Sequence, residues 1–147
     1  NVSLCHLMQF WKLLMIKDII KNKGNEISVL DPTDRLEYLI DLAKECKSLD
    51  NKYKIDKNKI FGCASNLWVV AEKKTNGTIN YLFDADAYIT RGTTKLVVDL
   101  LNNQLISDIS NLKKDDFKPL GILELLTAQR QNGLGNLINR LINLAKN

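Results

Sequence analysis

The stretch Leu67 to Asp84, LWVVAEKKTNGTINYLFD, decides the fold. Trp68, Val69, Val70 and Ala71 lead to Lys73, and beyond Asn76-Gly77 the residues Ile79, Tyr81 and Phe83 alternate with Asn80, Leu82 and Asp84. A period of two sends successive side chains to opposite faces of a strand, and Asn-Gly tolerates the positive φ angles of a tight type I′ turn. The stretch predicts a β-hairpin. Because two strands alone are marginal in water, a short third strand over Lys59 to Phe61 is expected beside them.

On both sides of the hairpin the pattern turns helical. Leu4 to Lys21 places Leu7, Phe10, Trp11, Leu14 and Ile19 on one broad apolar face, with Lys23-Gly24-Asn25 as the stop. The next helix opens on Asp31 as N-cap, Pro32 at the first helical position and Asp34 in the first turn. It continues through Leu36, Leu39, Ile40, Ala43 and Cys46 to near Ser48, and Leu49 to Asn58 follows as a polar loop. Downstream of the hairpin, Asp86 is the expected N-cap of a helix reaching about Asn102, with Ile89, Leu96, Val97, Leu100 and Leu101 turned inward. A short helix from Ser107 or Asp108, a polar connection over Lys113 to Pro119 and a turn over Ile122 to Leu126 come next. Leu134, Leu137, Ile138, Leu141, Ile142 and Ala145 then mark a strong amphipathic helix. The expected class is α+β, a small antiparallel sheet covered by helices. With no repeat and no linker, residues 1–147 read as one domain, 1–25 being an N-terminal extension and 26–147 the core.

Composition narrows the function. The chain has 147 residues, 45% of them hydrophobic, with 21 Lys+Arg against 17 Asp+Glu and a net charge of +4. A domain of that size needs neither disulfides nor a structural metal to fold. The most apolar run, Leu13 to Ile20, is cut by Lys17 and Asp18, so a soluble protein without a membrane span is expected. Six lysines between Lys44 and Lys59 form the densest basic stretch; without a platform of aromatic residues it reads as a solvated loop, and no nucleic-acid partner is expected. Cys5, Cys46 and Cys63 are odd in number and irregular in spacing, which suits free thiols in a reducing compartment.

Several chemistries drop out. The single His6 lies near the N-terminus, a poor base for a Ser-His-Asp or Cys-His pair. A metal site would require Cys5, His6, Cys46 and Cys63 to converge, and no C-x2-C knuckle is present, so none is expected. There is no phosphate-binding glycine motif, since Gly133-Leu134-Gly135 follows no strand.

What remains is Phe61-Gly62-Cys63-Ala64-Ser65, between the polar loop and the first hairpin strand. Glycine allows a bend that presents the thiol, which makes Cys63 a candidate nucleophile. A small buried hydrophobe is the other reading, and the residues alone leave both open. Cys46, in line with Leu39 and Ala43, reads as core.

Three ordered motifs then carry a resemblance. Gly62-Cys63-Ala64-Ser65-Asn66-Leu67-Trp68 is similar to the G-C-x-S-x-V-W signature of the SufE family of sulfur-acceptor proteins. Asp86-Ala87-Tyr88-Ile89-Thr90-Arg91-Gly92 resembles the family's S-D-A-x-I-x-[KR]-G, and Arg130-Gln131-Asn132-Gly133-Leu134 its R-x-[NQ]-G-L before the last helix. The resemblance spans about residues 31–146. Ala85 replaces the family's Ser, and Ala128-Gln129 its Pro-Ser, which questions that hydroxyl and the shape of that loop.

The resemblance implies a fold shared with iron–sulfur scaffold proteins and a carrier that stimulates a SufS-type cysteine desulfurase. Cys63 would take the persulfide sulfur and deliver it to a SufB-type cluster scaffold, making the protein a sulfurtransferase partner rather than a stand-alone enzyme. No cofactor of its own is implied, since pyridoxal phosphate belongs to the desulfurase. Arg130 or Arg91 would lower the thiol's pKa, and Asp86 is a catalytic candidate with helix capping as its other reading. The rival is a non-catalytic metal- or cluster-binding scaffold with Cys63 as a ligand. The Lys- and Asn-rich composition fits an AT-rich lineage, hence a plastid or apicoplast, with a bacterial cytoplasm as the alternative.

Overall fold

The computed structural model describes residues 3–147, excluding the side chains of residues 9, 10 and 12–14. Helix α1 spans Leu4–Ser28 and α2 Pro32–Lys44; strands β1 (Leu67–Lys73) and β2 (Thr78–Ala85) form the hairpin. Helix α3 (Tyr88–Leu101), strand β3 (Gln104–Leu105), helix α4 (Ile106–Ser110) and helix α5 (Ala128–Lys146) follow, with single-turn 3-10 segments over Asn51–Tyr53, Asp56–Asn58 and Leu123–Leu125 and a longer one over Lys114–Leu120. Among the described residues the sheet is antiparallel with order β1-β2-β3. The α+β class stands.

The hairpin pairs Val69 with Phe83 and Ala71 with Tyr81. Leu67, Val69, Ile79, Tyr81 and Ala85 are buried with Leu96, Val97 and Leu101 of α3 and Leu134, Leu137 and Leu141 of α5 in one core. The Tyr81 hydroxyl crosses that core to donate to the Leu141 carbonyl at 2.6 Å, so its polar end is satisfied. Every apolar residue singled out for the last helix is buried in α5. Asp31 caps α2 as expected, accepting from the Asp34 amide at 2.9 Å.

Several expectations are corrected. The hairpin turn is not type I′, because Gly77 at φ +85° has positive φ while Asn76 does not; the Gly77 amide donates to Lys74 O and the Lys74 amide to Thr78 O. One positive φ suits a three-residue loop closed by a glycine bulge, whereas type I′ needs two. The third strand is Gln104–Leu105 beside Thr78–Ile79, and Lys59 makes only an isolated bridge to Trp68. Helix α2 ends at Lys44, so Cys46 lies beyond it, half-buried, its thiol donating to Leu42 O at 3.5 Å.

Helix α1 does not stop at Gly24; it runs unbroken to Ser28. A Cβ on Gly24 would collide with the Pro119 carbonyl, so this glycine permits a close crossing of α1 over the 114–120 segment. Ile16, Ile20 and Ile27 enter the core, whereas Leu7, Trp11 and Ile19, expected on the inward face, are exposed. The expectations for Phe10 and Leu14 fall outside the described residues.

The outer face of the hairpin is covered at one end by the lysine-rich segment, which is more than a solvated loop. Asp84, buried opposite Trp68, accepts from the Leu49 amide at 3.1 Å and pairs with Lys54 at 2.9 Å. The Lys54 ammonium also sits 5.6 Å from the Trp68 ring centre. These contacts fix the segment leading into the bend that carries Cys63.

Candidate functional site

Cys63 sits on a bend between the 3-10 turn over Asp56–Asn58 and β1. Gly62 takes φ +81°, a conformation that L side chains rarely adopt, and turns the chain so that the next side chain faces α5. There α5 offers its own glycine. A Cβ on Gly133 would lie 3.0 Å from Cys63 Sγ and 3.2 Å from its Cα, so the cysteine backbone rests directly on the helix.

Two asparagines of α5 hold the bend from one side. Asn136 donates to Phe61 O at 2.9 Å and Asn132 to Gly62 O at 3.4 Å. On the other side, Ser65 donates to Thr90 Oγ1 at 2.9 Å, and the Arg130 guanidinium donates to the same oxygen at 2.9 Å. Arg130 belongs to the first turn of α5, where Thr127 caps the helix by accepting from the Arg130 amide.

The thiol is half-buried. Leu67, Ile89, Leu126 and Leu137 line the small pocket it shares with Thr90 and Arg130. Burial pushes the Cys63 pKa up, since a thiolate is poorly solvated there, and the Arg130 charge pulls it part of the way back. At rest the sulfur is mostly a protonated thiol shielded on its apolar side. Its open side is a shallow groove bordered by Lys59, Phe61, Asn66 and Asp86.

The structure thus brings Cys63 and Arg130 together and places Asp86 on the outer rim. Asp86 is not the N-cap of α3; Ala87 occupies that position, with no side-chain cap. Its carboxylate accepts from Asn66 Nδ2 at 2.7 Å and its amide donates to Asn66 O, which joins the end of β2 to the start of β1. Arg91 is not the cation of the thiol either: it donates to Ala85 O at 2.7 Å and pairs with Asp84 at 3.5 Å. Thr90, Asn132 and Asn136 are site residues that sequence reasoning does not reach. Polar residues on helices look solvated in a sequence, and only the occurrence of Thr90 and Asn132 inside the matched motifs hinted at more. Among the described residues no three His, Cys, Asp and Glu stand close enough to hold a metal ion. None of the described helices is long and apolar enough to cross a membrane.

Known proteins resemble this chain in sequence and in fold. The family model described as "SufE: Fe-S metabolism associated domain" matches residues 23–145. An uncharacterized SufE-like protein of Rhizobium etli is 32% identical over 120 residues, covering 79% of this chain and 81% of that one. The protein of Plasmodium falciparum named "Cysteine desulfuration protein SufE" is 27% identical over 114 residues, 75% of this chain and 46% of that longer one. A solution structure of a hypothetical protein from Thermus thermophilus superposes with TM-score 0.68 at 17% identity, covering 92% of this chain and 93% of that chain, which shows the shared fold.

Proposed function

The chain belongs to the SufE family, associated with Fe–S metabolism, and from that premise we propose that it is a sulfur acceptor working with a cysteine desulfurase. The observation that carries the reading is Cys63 itself: a thiol on a glycine bend, packed on Gly133, with one cation at its side and one face open to a partner.

The Cys63 thiolate attacks the outer sulfur of a persulfide held on the partner's cysteine. The new S–S bond forms on Cys63, the old one breaks, and the partner's cysteine leaves as a thiolate. The proton released from Cys63 on activation is the one that the leaving thiolate can take up, so the exchange needs no oxidant or reductant. Attack requires the thiolate, which Arg130 favours and burial opposes. The apolar pocket then shelters the bound sulfur from stray thiols and oxidation until a SufB-type scaffold receives it. Pyridoxal phosphate does its chemistry in the partner, and this chain contributes only the acceptor side chain and its surroundings. Asp86 keeps the rim in shape through Asn66, at the place where the partner must approach.

A relative from Plasmodium, together with the Lys- and Asn-rich composition, supports a plastid or apicoplast setting; the Rhizobium relative keeps a bacterial cytoplasm as the alternative.

Intact-mass spectrometry without reductant tests the function. Wild type incubated with a SufS-type desulfurase, pyridoxal phosphate and cysteine gains one or more sulfur atoms, and Cys63→Ser gains none. No gain on wild type, with an unchanged desulfurase rate, would return Cys63 to a packing role.

A further inference from the structure

The loop that carries Cys63 and the helix that carries Arg130 share one polar contact point, and it belongs to a third element. Thr90, in the first turn of α3, receives hydrogen bonds from Ser65 Oγ and from Arg130 Nη1, each at 2.9 Å. Ser65 lies two residues after the cysteine. Arg130 lies one helical turn before Gly133, on which the cysteine rests. The hydroxyl therefore ties together both sides of the thiol.

We propose that Thr90 is a positioning residue: its hydroxyl holds the Arg130 guanidinium beside Cys63 and keeps that charge from turning out to solvent. This rests on the sulfur-acceptor reading and supplies the part of it that concerns how the thiol is activated. A guanidinium offers five donors and no acceptor, and its flexible stem leaves orientation to whatever accepts from it. Here the acceptor is the hydroxyl of a β-branched side chain with restricted χ1, in the first turn of α3, whose backbone carbonyl in turn accepts from the Thr93 and Thr94 hydroxyls. Other charges cannot stand in. Arg91, on the same helix, is engaged by Asp84 and Ala85 O, and Lys59 and Asp86 lie on the open side of the loop. β1 contributes Leu67 and the segment before α5 contributes Leu126, both uncharged.

The test is the pH dependence of Cys63 alkylation by iodoacetamide, followed on the Cys63 peptide by mass spectrometry so that Cys5 and Cys46 do not interfere. Thr90→Val keeps the shape and removes the oxygen. It is expected to move the alkylation midpoint to higher pH and to slow the reaction at pH 7 by roughly three- to tenfold, in proportion to the thiolate lost. Thr90→Ser restores the wild-type profile. In an Arg130→Ala background, Thr90→Val adds nothing further. An unchanged midpoint in Thr90→Val, or a shift of the same size without Arg130, overturns the proposal, and Thr90→Ala repeats the comparison if valine unfolds the protein. The readout needs no desulfurase: a wild type that takes up no sulfur would defeat the acceptor function while this profile still decides the part played by Thr90.

Discussion

Gly133 and Cys63 touch backbone to backbone, with the space for a Cβ on the glycine lying 3.0 Å from Sγ and 3.2 Å from the cysteine Cα. The contact runs from a helix fixed in the core to a bend with no regular structure of its own. Packing at this one point sets how far the thiol stands from α5, and with it the distance to Arg130.

Gly133→Ala should therefore lift the cysteine loop. Alanine adds about 1 kcal/mol of helix propensity, but forcing a methyl into a filled site costs about 1–3 kcal/mol, and with contacts at 3.0–3.2 Å the cysteine has to give way. The expected outcome is a net loss of up to about 2 kcal/mol in urea unfolding. Faster Cys63 alkylation should accompany it, as the sulfur moves towards water. A more stable variant with an unchanged thiol would show that the loop yields freely.

The resting thiol has its own pH signature. Burial raises the Cys63 pKa above that of an ordinary thiol, with Arg130 opposing. The unfolded chain then loses this proton at a lower pH than the folded protein. The contribution to stability is present in full below the ordinary thiol pKa, and it is lost as pH rises through that value towards the folded one. Cys63→Ser should flatten this alkaline limb in thermal unfolding scans from pH 7 to 10. Alkylation of wild-type Cys63 at pH 7 should also be slower than that of free cysteine.

Asp84 gives the opposite sign. Burial alone would raise its pKa, but the Lys54 ammonium and the Leu49 and Ala85 amides outweigh burial and hold the carboxyl below its usual value. Its contribution is present above the ordinary aspartate pKa and lost as pH falls through the folded one. Asp84→Asn should cost about 2–4 kcal/mol at pH 7, because it leaves Lys54 and Arg91 without their counter-charge. The gap to wild type should narrow below about pH 4. Equal melting temperatures at pH 7 would mean that the lysine-rich segment is not held by this carboxylate.

Gly24→Ala should disrupt the crossing of α1 over the 114–120 segment. An exposed helical glycine gains from alanine, whereas here the methyl meets the Pro119 carbonyl, so a loss of about 2–3 kcal/mol is expected in place of a gain. Thermal unfolding of this variant beside Asn25→Ala, a neighbour on the same helix, separates the collision from propensity.

What could and could not be read in the sequence follows from the range of each interaction. The hairpin was legible because strand alternation and Asn-Gly act locally, and α5 because six apolar residues keep helical spacing. The turn type is not legible there: Asn-Gly suits two different turns, and the choice lies in the φ of Asn76. Gly24 read as a stop because its partner, Pro119, is remote in sequence. Strand β3 has two residues, too few to show a period. At the site, Cys63 and Arg130 stood out through their motifs. The N-cap of α3 falls one residue beyond Asp86, and Arg91 is claimed by Asp84, a partnership that spacing does not announce. Thr90 joins Ser65 and Arg130 across 25 and 40 positions, which no local pattern encodes.

Helix α5 supplies one whole wall of the Cys63 cradle, through Gly133, Asn132, Asn136 and Arg130. That gives the thiol a history during synthesis. Cys63 leaves the ribosome several seconds before the α5 residues are translated, at typical elongation rates. Over that interval the nascent chain carries a bare cysteine, with the reactivity of any thiol in an unfolded peptide. Its selectivity is acquired only when the final helix docks.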